Sequence, residues 1–261
     1  MDEILAGLPR EARVLDLGCG AGSFPANRYA CLTIHVDLNP PRKLPPCFVQ
    51  AHATRLPFRS RTFDAVIVNH ALEHIAEVKL TLQEIGRVLK QDGAALITVP
   101  DATTLSDRIY RKVLINDGGH VNLFDSSEKL EKMIAWYLGV PHAGTRALQS
   151  SFSFLNRRNT RDPVYRDAMV FRGLPEWMLA RAVRLARWMD RKWKTRLGAY
   201  GWAFYFGKLA GGLDLAPLTN VCVRCGSGHE SRDLLTARKT RARFFPRYRC
   251  PDCGAINPFT P

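Results

Sequence analysis

The apolar positions of the first hundred residues fall into short runs that end at glycine, proline or an acidic side chain. Buried strands are predicted at residues 13–17, 32–37, 63–68 and 94–99, because each is a mostly apolar run bounded by turn residues. Over residues 77–90 the apolar positions recur at spacings of four, three and four, which predicts a helix with one buried face. This alternation predicts an α/β fold, a doubly wound and mostly parallel sheet with helices on both faces.

The second half of the chain gives a weaker pattern. A helix is predicted at 126–138, with Ser126 or Ser127 as its N-cap, and strands are predicted at 149–155 and 202–206. Residues 175–197 predict a long helix on which an apolar stripe lies beside a basic one. The apolar stripe consists of Met178, Ala182, Leu185, Met189 and Trp193, and the basic stripe of Arg181, Arg184, Arg187, Arg191 and Lys194.

Turn residues divide the chain near its end. Gly211, Gly212 and Pro217 mark a linker. We therefore expect a domain over residues 1–213, which includes a basic helical insertion at about 157–198. A second and smaller domain is expected over residues 218–261.

The charge is unevenly distributed along the chain. Residues 1–150 carry 17 Lys and Arg against 16 Asp and Glu, whereas residues 151–261 carry 21 against 8. The basic half is expected either to meet an anionic partner through residues 157–249 or to serve solubility alone. The anionic partner would be a membrane surface or RNA, and the long basic helix would either lie on that surface or cover the sheet.

Basic and aromatic residues alternate in the segment 238–249, which is a pattern that nucleic-acid binding favours. The alternative is a small hairpin with Phe244, Phe245 and Tyr248 as its core and the arginines on its wet face.

The chain shows no predicted membrane span, because no stretch reaches the roughly 20 uncharged apolar residues that a spanning helix needs. Its acidic start, Asp2-Glu3, differs from the basic start of a secretory signal. The expectation is a cytoplasmic protein, with peripheral membrane association through the basic half as an option.

Four cysteines form two Cys-x-x-Cys pairs, Cys222 with Cys225 and Cys250 with Cys253, separated by 24 residues. Each pair lets two thiolates converge on one ion, and four thiolates suit a structural Zn²⁺, with iron as the alternative. The pairs resemble a zinc ribbon. Because the module is small, metal binding would supply much of its folding free energy.

A glycine loop, Gly18-x-Gly20-x-Gly22, follows the first predicted strand, and Asp37 ends the next strand 19 residues after Gly18. Glycines let backbone N–H groups approach a ligand, and an acid at the second strand tip accepts ribose hydroxyls. The sequence therefore predicts a nucleotide-type ligand. The glycine spacing departs from Gly-x-Gly-x-x-Gly, which disfavours an NAD-dependent oxidoreductase.

Several segments resemble class I S-adenosylmethionine-dependent methyltransferases of the type 11 subgroup. They are, in order, Val14-Leu15-Asp16-Leu17-Gly18-Cys19-Gly20-Ala21-Gly22, Val36-Asp37-Leu38-Asn39, Leu56-Pro57-Phe58 with Phe63-Asp64-Ala65-Val66, Ala71-Leu72-Glu73-His74 and the segment 84–93. The resemblance covers about residues 10–125. It implies S-adenosylmethionine as cofactor and a Rossmann-like fold.

The resemblance also implies roles for single residues. The cofactor-binding set is Asp16, Gly18, Gly20, Gly22, Asp37, Leu38, His52 and Asn69. Asp37 would hold the ribose, Leu38 would pack on adenine, and Asn69 would lie beside the sulfonium. The chain departs from the family at Ala51-His52, where relatives carry Gly-Asp, so the carboxylate that accepts the adenine amino group is missing.

His120 and His74 are the candidate catalytic residues. Methyl transfer depends mostly on positioning, and a base is needed only where the acceptor carries a proton. His120 lies in Gly118-Gly119-His120-Val121, which is similar to the family segment that borders the acceptor pocket. The alternatives are a loop-holding histidine at 120 and a packing role for Glu73 and His74.

The sequence thus predicts a methyltransferase that acts on a small or envelope-type acceptor, with RNA or protein less favoured. The alternative is a binding protein, built from the ribbon and the basic helix, in which the methyltransferase-like domain is structural.

Overall fold

The structure is a computed structural model of the protein, and it describes residues 1–24, 28–113, 119–161, 172–207, 215–237, 240–241 and 246–261. These residues divide into two compact units. The first comprises Met1–Asp101, His120–Arg146 and Trp202–Leu215, and the second comprises Ala102–Gly119, Ala147–Gly201 and Ala216–Pro261. The predicted linker glycines Gly211 and Gly212 lie outside the described residues, so the expected boundary near residues 213–218 stays a prediction.

The largest sheet has seven strands. They are β1 (Arg13–Leu17), β2 (Leu32–Asp37), β3 (Phe48–Gln50), β4 (Phe63–Asn69), β5 (Leu89–Pro100), β6 (His142–Gln149) and β7 (Ala199–Gly207). Their order is β3–β2–β1–β4–β5–β7–β6. The pairs β1–β2, β1–β4, β2–β3 and β4–β5 are all parallel, which confirms the predicted fold class.

The register of the central strands brings three loops to one edge of the sheet. Asp16 of β1 is paired with His35 of β2 on one side and with Ile67 of β4 on the other. Because these strands run in the same direction, their carboxyl ends meet at one edge, where ligands bind in open α/β sheets. The loops that begin at Gly18, Leu38 and His70 therefore lie side by side.

The described residues form six helices of four or more residues. They are α1 (Asp2–Leu5), α2 (Val78–Val88), α3 (Leu105–Val113), α4 (Ser127–Leu138), α5 (Glu176–Trp193) and α6 (Ser231–Thr236). In the first unit, the fully buried Leu82 and Ile85 of α2 and Ile134 of α4 share one core with sheet residues. The predicted N-cap is confirmed at Ser126, whose side chain accepts the Lys129 N–H.

Two predicted element bounds were wrong. The helix predicted over residues 77–90 ends at Val88, because Leu89 is already extended and pairs with Phe63 of β4. The strand predicted at 149–155 ends at Gln149, and Phe152 has a φ of 51°, which interrupts the extended backbone before a 3₁₀ turn at Ser153–Leu155.

The predicted apolar stripe of the long helix was also wrong. The residues of α5 that the second unit buries are Leu179, Val183 and Arg187, one to two positions away from the predicted stripe. Met178 and Leu185 of that stripe are exposed. Both stripes repeat at helical spacing, so periodicity alone does not choose between them. Packing against Phe152, Leu155 and Val223 decides which stripe is buried.

In the cysteine segment, every described strand is short. They are β8 (Asn220–Val221), β9 (Gly228–His229), β10 (Thr240–Arg241), β11 (Arg247–Arg249) and β12 (Ile256–Pro258). Its small core consists of Cys222, Leu234, Tyr248, Cys250, Ala255 and Phe259. Two of the predicted metal ligands are thus part of the core that they would stabilise.

Candidate functional site

The glycine loop leaves β1 in a conformation that excludes larger residues at its first position. Gly18 has a φ of +68°, and a Cβ placed there would lie 2.3 Å from the Cβ of Ala71. The backbone N–H groups of Gly18 and Cys19 both donate to the Val36 carbonyl, at 2.8 and 3.1 Å. The loop is therefore fixed between the tip of β2 and the segment that follows β4.

Gly20 and Asp37 form the part of the site where the sequence predicts that a ribose binds. The Gly20 N–H donates to Asp37 Oδ2 at 2.8 Å, and the Asn39 N–H donates to Oδ1 at 3.0 Å. A Cβ at Gly20 would meet nothing within 4 Å. The carboxylate is thus held at the strand tip with lone pairs to spare, beside open space over Gly20, and this arrangement fits a nucleoside.

Asp16 lies behind the glycine loop. Its carboxylate is fully buried and accepts the Ser23 N–H at 2.9 Å and the Ser23 hydroxyl at 2.6 Å, and it lies 3.0 Å from His35 Nδ1. These contacts tie the far end of the loop to β1. Asp16 was predicted as a cofactor-binding residue, and this geometry gives it a loop-holding role. Sequence reasoning missed Ser23 and His35, which no motif marks.

The predicted adenine side has an apolar and a polar member. The Leu38 side chain is 51% exposed beside Asp37, and the Leu38 carbonyl accepts from Gln50 Nε2 at 2.9 Å. The Ala51 N–H donates to the Asp37 carbonyl. His52 is exposed, and its Nδ1 lies 2.7 Å from the Thr54 hydroxyl oxygen.

Asn69 ends β4 at the same edge of the sheet. Its Oδ1 accepts the Thr98 hydroxyl at 2.9 Å, and the Thr98 hydroxyl oxygen accepts the His70 N–H at 3.0 Å. His70 has a φ of 52°, so the chain turns sharply there. Thr98 was not predicted as a site residue.

The two candidate catalytic histidines lie together although 46 residues separate them in the chain. The rings of His74 and His120 are 4.9 Å apart and nearly perpendicular. Residue 120 is brought to this position by the two that follow it, since the N–H groups of Val121 and Asn122 both donate to the Glu73 carbonyl. Sequence reasoning paired neither Glu73 nor Asn122 with His120.

The four predicted metal-ligating cysteines converge within the second unit. All four sulfur atoms lie within 4.8 Å of one another. Cys222 Sγ lies 3.5 Å from Cys253 Sγ, and Cys225 Sγ lies 3.7 Å from Cys250 Sγ. Four thiolates at this spacing fit one tetrahedral ion.

The two cysteine turns repeat the same backbone pattern. The N–H of Gly226 donates to the Cys222 carbonyl, and the N–H of Gly254 donates to the Cys250 carbonyl. The Arg224 N–H and the Asn257 side-chain amide both donate to Cys222 Sγ at 3.4 Å. Such donors stabilise thiolate charge.

The cysteine thiols of this cluster differ in pKa. The hydrogen bond from Cys222, and then those from Ser227, lower the pKa of Cys225 to about 4, whereas burial raises the pKa of Cys250 to about 12. His229, which the sequence analysis did not single out, lies beside this group with its Nε2 3.3 Å from Cys250 Sγ.

The first cysteine turn is anchored to the long helix of its own unit. Arg224 makes a bidentate ion pair with Glu176 in the first turn of α5, at 2.7 and 2.9 Å. The Asn156 side chain donates to the Val223 carbonyl at 3.0 Å. Within the second unit, the helix α5 therefore packs against the cysteine segment.

The predicted basic segment 238–249 is described only in part. Residues 238–239 and 242–245, with Phe244 and Phe245 of the alternative hairpin core, lie outside the described residues. Tyr248 is 1% exposed, and its hydroxyl donates to the Asn220 carbonyl, as a core role requires. Among the described helices, none has the length and apolar character that crossing a membrane takes.

The first unit contains a cavity of about 250 Å³. Its lining includes Leu8, Asp64, Lys90 and Gly93, at the amino ends of β4 and β5. It contains none of the predicted site residues, and ligands of parallel sheets bind at the opposite, carboxyl ends.

Comparison with known proteins points to one family. Residues 15–97 match the model of a family described as a methyltransferase domain. The malonyl-[acyl-carrier protein] O-methyltransferase of Enterobacter lignolyticus is 30% identical over 151 residues, which are 53% of this chain and 59% of that protein. The uncharacterized methyltransferase YcgJ of Bacillus subtilis is 30% identical over 135 residues, 45% of this chain and 53% of that one.

Solved structures show the same fold. The crystal structure of YcgJ from Bacillus subtilis gives a TM-score of 0.50 at 19% identity and covers 79% of this chain and 95% of that one. A S-adenosylmethionine-dependent methyltransferase from Archaeoglobus fulgidus gives 0.51 at 21% identity, with 76% and 86% covered. The chain spans about half of the length of the curated relatives, 46% to 59% of the first three.

Proposed function

We propose that this chain, which carries a class I methyltransferase domain matched over residues 15–97, transfers the methyl group of S-adenosylmethionine to an acceptor. The observation that supports this best is the carboxylate of Asp37, held at the strand tip by the Gly20 and Asn39 N–H groups beside open space. When bound, the cofactor supplies an electrophilic methyl group on a good leaving group, so the protein has mainly to position the two reactants.

The residues divide this task between them. Asp37 accepts the ribose hydroxyls, Leu38 offers its exposed apolar surface to adenine, and the glycine loop lets the backbone approach the ligand. Asn69 is oriented by Thr98 for the methyl-bearing end. His52 takes the place of the carboxylate of relatives, and its ring is oriented by Thr54.

His74 and His120 are proposed to face the acceptor. Either imidazole is suited by its chemistry to take the proton of a hydroxyl or amine acceptor. A small or envelope-type acceptor is proposed. The relative from Enterobacter lignolyticus is named for methylation of an oxygen on a malonyl group, which supports an oxygen acceptor.

The Cys₄ cluster is proposed to hold one structural Zn²⁺. Four thiolates close the coordination shell and leave no position for substrate. Burial of Cys222 and Cys250 in the small core of the segment ties the ion to the folding of that core. A binding function of the basic half alone is less well supported, because it leaves the converging site residues of the first unit without a role.

The test is a calorimetric titration of the zinc-loaded protein with S-adenosylmethionine. We expect micromolar binding that falls at least a hundredfold in Asp37→Ala, since two hydrogen bonds to a charged group contribute about 1.5–3 kcal/mol each. Asp92→Ala, which removes an exposed aspartate of the same unit, is the matched control and should bind normally. A folded wild-type protein that does not bind, or an unchanged affinity in Asp37→Ala, would overturn the proposal.

A further inference from the structure

The turn after β4 contains a second group of side chains with metal-ligating chemistry. One carboxylate oxygen of Glu73 and one ring nitrogen each of His74 and His120 lie within 4.8 Å of one another. Two imidazoles and a carboxylate are a donor set that first-row divalent cations favour. These residues lie in the first unit and share no member with the cysteine cluster of the second.

Glu73 is the member of this group whose buried carboxylate a cation would stabilise. Its side chain is 2% exposed, and its Oε2 has no hydrogen-bond partner among the described residues. Its Oε1 lies 3.7 Å from His70 Nδ1, which is ion-pair distance for a protonated imidazole but too far for a hydrogen bond. In the part of the chain that the structure describes, no lysine or arginine pairs with it. An ionised carboxylate buried in this way is costly unless a positive charge compensates it.

The backbone holds the three ligands in place before any ion arrives. Glu73 and His74 share the 3₁₀ turn Leu72–His74, and the Glu73 carbonyl accepts the N–H groups of Val121 and Asn122. The Asn122 side chain also donates to the Ile75 carbonyl at 2.7 Å. A hydrogen bond thus joins Val121, which follows His120, to Glu73, which precedes His74. This bond holds the two imidazoles close to each other.

The group is open on one side. His74 is exposed and His120 is half-buried, whereas Glu73 is buried. Three protein ligands with an accessible face leave coordination positions for a substrate atom, as in catalytic rather than structural metal sites. The turn also packs on the glycine loop, since the Cβ of Ala71 lies against Gly18, so the site adjoins the region that Asp37 and Gly20 define.

We infer that Glu73, His74 and His120 bind a divalent cation such as Mn²⁺, which holds an oxygen atom of the methyl acceptor. This role of the cation rests on the proposed methyltransferase function, but the binding of the metal does not. With the metal bound, the cation lowers the pKa of an acceptor hydroxyl, whose proton passes to water, and the base role proposed above for an imidazole applies only where that imidazole is not a ligand. The acceptor class is then one with an oxygen that binds a hard or borderline cation, a hydroxyl or a carboxylate.

The test uses Mn²⁺, because thiolates prefer softer ions, and the cysteine cluster is filled beforehand with one equivalent of zinc, so that no excess zinc occupies the second site. Zinc-loaded protein is titrated with Mn²⁺, and free Mn²⁺ is measured by its electron paramagnetic resonance signal, without cofactor or acceptor. We expect one ion per chain, and at least tenfold weaker binding in Glu73→Gln and in His120→Asn. His142→Asn is the matched control, because it removes a histidine that lies 3.1 Å from Glu131 and belongs to none of the metal-ligating groups of the described residues. This variant should bind Mn²⁺ normally.

The outcomes separate this inference from the proposed function. Each variant is also titrated with S-adenosylmethionine, which we expect Glu73→Gln to bind as the wild type does. Wild-type protein that binds the cofactor but no Mn²⁺ at millimolar concentration would overturn the metal site alone, as would equal Mn²⁺ binding in His120→Asn. Because His120 is partly exposed, that variant keeps the test valid if Glu73→Gln does not fold.

Discussion

The glycine loop permits a prediction in which steric strain and ligand binding are separated by three alanine substitutions. Gly18, Gly20 and Gly139 all have positive φ, at +68°, +49° and +69°. An alanine in this region costs about 1–2 kcal/mol. A Cβ at Gly139, which ends α4, and a Cβ at Gly20 would each meet nothing within 4 Å, whereas a Cβ at Gly18 would lie 2.3 Å from the Cβ of Ala71.

The expected free energies of unfolding follow from these distances. Gly139→Ala and Gly20→Ala should each lose about 1–2 kcal/mol, the backbone cost alone. Gly18→Ala should lose about 2–5 kcal/mol, because overpacking adds about 1–3 kcal/mol and the Cβ of Ala71 has no torsion by which to move aside. Urea unfolding followed by circular dichroism and tryptophan fluorescence measures all three.

Cofactor affinity distinguishes the two variants of equal stability. Gly20→Ala places a methyl group in the space proposed for the nucleoside, so we expect at least tenfold weaker binding of S-adenosylmethionine by calorimetry. Gly139→Ala should bind as the wild type does. Equal stability of Gly18→Ala and Gly139→Ala would refute the close contact with Ala71, and unchanged affinity in Gly20→Ala would refute the placement of the ligand.

Three further predictions concern stability. Chelation of zinc, or Cys250→Ala, should lower the melting temperature and reduce the zinc content from one ion per chain towards none, because Cys250 belongs both to the cluster and to the small core. The hydrogen bonds from Arg87 hold the pKa of Glu84 below its usual value. The pair therefore stabilises the fold fully above the pKa of an unfolded glutamate, and the stabilisation is lost as the pH falls through the lowered pKa. Glu84→Gln should cost about 1 kcal/mol at pH 7 and less in acid. Burial lowers the pKa of Arg187 to about 10, and its guanidinium nitrogens have no hydrogen-bond partner among the described residues. Arg187→Met should therefore raise the free energy of unfolding by about 1–3 kcal/mol. The control Arg191→Met, on the exposed side of the helix, should change it by less than about 0.5 kcal/mol.

Each of these has a result that would contradict it. Zinc-free protein with an unchanged melting curve would show that the cysteine segment folds without the metal. A stability loss in Glu84→Gln that stays constant from neutral to acid pH would show that packing, and not charge, is affected. A less stable Arg187→Met would indicate an anionic partner of Arg187 that compensates its burial.

The sequence by itself determined the elements whose signals are local. Apolar runs and turn residues indicate structure within a few positions of the chain. These local signals predicted the strands β1 and β2, the glycine loop after β1 and Asp37 at the tip of β2. The Cys-x-x-Cys pairs were recognisable for the same reason. Family resemblance then indicated where Leu38, His52 and Asn69 lie, since it carries information on the order of loops along the sheet edge.

Tertiary structure alone decided which distant residues meet. His120 and His74 were separate candidates in the sequence, and only the backbone hydrogen bonds of Val121 and Asn122 to Glu73 unite them. The burial of Arg187 within an apparently basic stripe was likewise decided by packing against other elements of its unit. Side-chain periodicity reports the shape of a helix, not which of its faces a neighbour covers, and contacts over tens of residues depend on a chain path that no local pattern encodes.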